Sequence, residues 1–60
     1  MKTTTQTTAD RASEYRRLAG EHMRQAEALW AAGLNRKGDW QEQIAREYVW
    51  DADLLESRPA

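Results

Sequence analysis

The segment Leu29-Trp30-Ala31-Ala32-Gly33-Leu34-Asn35-Arg36-Lys37-Gly38-Asp39-Trp40 decides how this chain is read, because a helical pattern stops there and another resumes. Gly33 is placed to take the left-handed conformation that closes a helix just past its last turn. Asn35, Arg36, Lys37 and Gly38 continue as turn chemistry. Asp39 followed three residues later by Glu42 has the spacing of a helix start. These signals predict a first helix over about 9–32, a turn over 33–38 and a second helix over about 39–56. Two helices joined by a short turn make an antiparallel hairpin, so the fold class is all-α.

Upstream of that segment, Thr7, Thr8 and Asp10 are the N-cap candidates, and Thr7 with Asp10 has capping-box spacing. Residues set 100° apart put Ala12, Tyr15, Leu18, Ala19, His22, Met23, Ala26, Leu29 and Trp30 on one broad face. Arg17, Glu21, Arg24 and Ala28 lie opposite. Gly20 interrupts this helix and is expected to mark a close approach of the other backbone. Downstream, the apolar stripe of the second helix carries Trp40, Ile44, Tyr48, Ala52 and Leu55. Residues 1–8 hold five threonines and no apolar run, and read as a flexible, solvated tail rather than a signal peptide or membrane anchor. Residues 58–60 read as a second tail, with Pro59 discouraging helix at Arg58.

In an antiparallel hairpin the numbers of facing residues share a constant sum, and setting Gly33 against Trp40 makes it 73. Leu29 then meets Ile44, Ala26 lies near Glu47 and Tyr48, and Leu18 meets Leu55. His22 falls opposite Asp51, and the two are expected to form a structural polar pair, since an unpaired buried charge is costly.

Length and charge narrow the function classes. At 60 residues, a net charge of −1 and no cysteine, the chain has no disulfide framework, no thiolate metal site and a reducing cytoplasm as its natural compartment. A domain of this size hides only about 60% of its unfolded surface and is marginal on its own. Val49, Trp50 and Leu54 stand off the centre of the second stripe, leaving an apolar patch on a small protein. The expected remedy is a homodimeric four-helix bundle, and the same residues are candidates for contact with another protein.

Chemistry finds little support. There is one His, no Gly-rich phosphate loop and no nucleophile beside a base, so no enzyme activity and no cofactor or metal are expected. Ala28, Gly33 and Leu34 have the spacing of a helix-turn-helix turn, but a recognition helix from Asn35 would contain Gly38 and place Asp39 at a packing position. Residues 39–57 also hold six carboxylates against Arg46 alone, a balance of −5, which opposes contact with phosphates. Arg36 and Lys37 are the candidate contacts if the chain regulates transcription on DNA.

Tyr15-Arg16-Arg17-Leu18-Ala19-Gly20, Arg24-Gln25-Ala26-Glu27-Ala28-Leu29-Trp30 and Gly38-Asp39-Trp40 together resemble the small early-region accessory proteins of lambdoid bacteriophages. The resemblance spans most of residues 10–56. It implies modulation of the host or of the lysis–lysogeny choice through contacts with host or phage proteins, in the bacterial cytoplasm. Ala26-Glu27-Ala28-Leu29-Trp30 and Gly33-Leu34, followed by Trp40 and Arg46, also resemble PerC-type and ANR-type small regulators. Those families usually carry a cysteine near the end of the second helix, where this chain has Tyr48, Val49 and Trp50.

Overall fold

A computed structural model describes residues 7–57, which form α1 (Thr8–Ala31) and α2 (Asn35–Ser57) packed as a helical hairpin. No strand occurs among the described residues. The expected tails over 1–6 and 58–60 lie outside them. Thr7 and Thr8 do not belong to a tail: Thr7 caps α1 and Thr8 is its first residue. The Thr7 hydroxyl accepts from the Asp10 amide at 3.0 Å, and the Asp10 carboxylate accepts from the Thr7 amide at 3.4 Å. This reciprocal box satisfies two of the donors that a helix start leaves open.

The connection is shorter than the turn chemistry predicts. Gly33 has φ +82°, and its amide donates to the Trp30 carbonyl at 2.9 Å. The Leu34 amide donates to the Leu29 carbonyl at 2.8 Å, which completes a Schellman closure. The Leu34 carbonyl already accepts from the Gly38 amide at 3.0 Å, so α2 begins at Asn35 rather than Asp39. Asp39 is therefore no N-cap, and Gly38 lies inside a helix despite costing about 1 kcal/mol there relative to Ala.

The reason is a tertiary contact. A β-carbon at Gly38 would stand 2.4 Å from Cδ1 of Trp30, so the indole fills the space that any other residue at 38 would need. The Trp30 Nε1 donates to Asp39 at 3.0 Å and pins the ring there. Gly20, expected to be the point of close approach, is open: its β-carbon would meet only the tip of Arg24, at 3.7 Å.

The core is a seam of small residues. Ala12, Ala19 and Ala26 on α1 and Ala45 and Ala52 on α2 are buried, as is Gly38. Each set recurs every seven residues, the repeat that keeps one line of a helix against its neighbour. No large side chain among the described residues is fully buried. The short second stripe predicted from Trp40 and Ile44 is thus rotated: Trp40 is 67% exposed, and Ala45 with Gly38 takes the centre. Small side chains permit the closest approach of two helix axes. A buried methyl contributes only about 0.8 kcal/mol, however, so this seam is a thin source of stability.

Earlier entry into α2 also resets the register. The cross-helix contacts have smaller sums than 73: His22–Gln41 and Tyr15–Tyr48 give 63, Trp30–Gly38 gives 68 and Arg16–Asp53 gives 69. The pairings predicted from the larger constant are displaced by between one and three turns.

Candidate interaction surface

The seam divides the hairpin into two faces of different chemistry. On one, Arg16 of α1 reaches Asp53 at 2.8 Å and also pairs with Glu56. These bonds, to Glu56 first and then Asp53, hold the guanidinium above its ordinary range. Val49 shares this face in a shallow groove with Met23, Glu42, Ala45 and Arg46. Arg46 in turn pairs with Glu42 at 3.4 Å. Along the outer side of α1, Arg17 pairs with Glu14 and with Glu21, and is likewise held above its ordinary range, by Glu14 foremost. The first face is polar and internally compensated.

The opposite face is aromatic and aliphatic. Tyr15 and Tyr48 meet with ring centroids 5.8 Å apart, and His22 stacks on Tyr48 at 5.7 Å with planes 19° apart. His22 Nδ1 lies 2.6 Å from Oε1 of Gln41; the amide oxygen only accepts, so Nδ1 carries the hydrogen. Leu18, Leu29, Ile44 and Leu55 continue this face, all half-buried. Leu29 shares a groove with Lys37, Arg36, Trp40 and Gln41, and Tyr15 shares one with Asp51, Leu54 and Leu55.

The expected pairing of His22 with Asp51 is not present. His22 bonds to Gln41 because the register constant is smaller, and Asp51 is exposed nearer the open end, beside Tyr15. Glu47 and Asp51, one turn apart on α2, join no ion pair among the described residues. Like charges at this spacing repel by a few tenths of a kcal/mol.

The other candidates separate. Trp50, 68% exposed, projects from the outer edge of α2, where Glu47, Asp51 and Leu54 line a groove beside it. Leu54, 56% exposed, bridges that edge and the aromatic face. Val49 sits on the polar side, away from both. Arg36 and Lys37 are exposed in the first turn of α2, next to Trp40. Sequence reasoning missed Tyr15, Tyr48 and Gln41 as a cluster, although the seven-residue spacing of Gln41, Tyr48 and Leu55 beside the alanine line carried the signal.

Among the described residues no three of His, Cys, Asp and Glu converge as a metal site, and no helix is long and apolar enough to cross a membrane. No protein-family model, curated protein or solved structure matches the chain.

Proposed function

We propose that this chain is a small, non-catalytic regulatory protein that works by protein–protein contact and self-associates into a four-helix bundle. One observation carries the reading: Leu18, Leu29, Ile44, Leu55 and both tyrosines lie half-covered on one face, while the opposite face carries the ion pairs of Arg16 and Arg46. A two-helix layer gives Leu18, Ile44, Tyr48 and Leu55 a neighbour on one side only, and a second layer is the usual way to cover such a face. The outer edge of α2, with Trp50 and Leu54, is the surface left for a host or phage partner. Exposed tryptophan beside aliphatic side chains is the composition of an interface anchor. The phage-like sequence character supports action in a bacterial cytoplasm.

Sedimentation across a wide concentration range tests self-association. A species near 14 kDa supports it; only the 7.0 kDa chain at high micromolar concentration refutes it. Affinity capture from bacterial lysate tests the partner surface by comparing the wild type with Trp50→Ala and an Arg36/Lys37 double substitution. A protein lost specifically on changing Trp50 supports the reading. The alternative of a DNA-contacting regulator rests on Arg36 and Lys37, within a helix that also carries six carboxylates. Tight, salt-sensitive retardation of DNA, lost with those two cations, would replace the first reading with the second.

A further inference from the structure

Two symmetric arrangements can bring the aromatic faces of two copies together with antiparallel neighbours throughout. With the two-fold axis along the hairpin, α1 of one copy lies over α2 of the other and both turns sit at the same end. With the axis across the hairpin, like helices stack on like helices and the turns lie at opposite ends. Resting on the self-association proposed above, we infer that the chain adopts the first arrangement, its aromatic face covered by a second copy whose α1 crosses over α2.

Charge distinguishes the two. Residues of α1 hold four cations and four carboxylates, whereas α2 holds three cations and six carboxylates, a balance of −3. Stacking α2 on α2 would oppose two acidic helices. It would also bring both copies of Glu47 beside the axis, because residue 46 is the midpoint of α2. Like charges facing each other across an interface are strongly disfavoured.

Crossing α1 over α2 gives the same carboxylates partners of opposite or complementary character. Tyr15 lines a groove with Asp51, and Arg11 lies one turn beyond Tyr15, so Arg11 of the partner subunit stands within about two helical turns of Asp51. His22 contacts both Gln41 and Tyr48, so His22 of the partner subunit stands within about one helical turn of Glu47 in height. Arg11 shares its side of α1 with Leu18, seven residues on, and takes part in no ion pair among the described residues. The unpaired groups of the face are thus matched to one another, and Leu18 of the partner subunit comes level with Tyr48.

The absence of cysteine makes the test direct. A single Ala32→Cys substitution in the full chain, at the exposed turn, carries a nitroxide label, and pulsed electron spin resonance reads the distance between the two labels of a dimer. The inference expects a distance well below the roughly 35 Å length of α2, because the turns stack at one end. A distance at or above that length overturns the arrangement while leaving self-association standing. A label that shows no pair distance, with a monomer in sedimentation, overturns both. As a second measurement, Arg11→Glu should weaken dimerisation about two- to fivefold and Asp51→Arg added to it should restore it; a wild-type dissociation constant for Arg11→Glu alone, or no recovery in the double variant, counts against the inference.

Discussion

The indole of Trp30 occupies the space that a side chain on Gly38 would need, across the turn that joins the two helices. This contact explains why a residue disfavoured in helices lies one turn inside α2. It also links the closing of α1 to the register of the whole hairpin, since Gly38 belongs to the same line as Ala45 and Ala52.

Gly38→Ala therefore sets two effects against each other. Better helix propensity offers about 1 kcal/mol, while forcing a methyl into the Trp30 ring costs about 1–3 kcal/mol. With a gap of only 2.4 Å to Cδ1, and that atom near the ring's root rather than its tip, the clash wins. Gly38→Ala should lower the midpoint of thermal unfolding, and in a Trp30→Ala background the same change should raise it. A double-mutant cycle followed by circular dichroism reads the reversal directly.

Gly20→Ala should do the opposite in the wild-type chain. Its β-carbon would meet open surface apart from the end of Arg24, so only the helix propensity gain of about 0.5–1 kcal/mol remains. Urea unfolding should show a higher midpoint at an unchanged slope. A loss of stability would mean that another backbone approaches this position after all.

Hydrophobic periodicity made both helices and the capping of α1 legible in the sequence, since Thr7, Asp10 and Gly33 act locally and need no knowledge of the partner helix. The start of α2 was not legible, because Gly38 and Asp39 have genuine turn chemistry that the Trp30 contact overrides. The second stripe was misplaced for a related reason. Weighting by size draws attention to Trp40 and Ile44, whereas two helices in close contact select alanine and glycine for the seam. One displaced helix start then carried His22 to Asp51 instead of Gln41, so an error of a turn in local structure became an error in the polar pair.

The alanine seam predicts steep sensitivity to size. Ala45→Leu places a large side chain where the two helices touch, and should cost about 1–3 kcal/mol by overpacking. Trp50→Ala removes a far larger group from the exposed edge and should change stability by no more than about 0.5 kcal/mol. Chemical unfolding of the two variants side by side tests the assignment. A Trp50 variant that unfolds as readily as the Ala45 variant would place Trp50 in a core rather than on a partner surface.

The last comparison separates the two registers. His22 donates to Gln41, and deleting that acceptor leaves a half-buried ring nitrogen without its bond, a loss of about 1 kcal/mol with the packing of Gln41 against the cluster added to it. Asp51 is exposed and makes no such contact, so Asp51→Asn should leave the stability of the isolated hairpin unchanged within about 0.5 kcal/mol and relieve its repulsion with Glu47. Gln41→Ala and Asp51→Asn thus carry opposite expectations from those of a His22–Asp51 pair. Measured at concentrations low enough to keep copies apart, a large loss for Asp51→Asn and none for Gln41→Ala would restore the longer turn and the register that goes with it. The small-residue seam argues against that outcome, because a sum of 73 sets Glu47 and Tyr48 beside Ala26 and Leu54 beside Ala19, and side chains of that size would hold the helices apart.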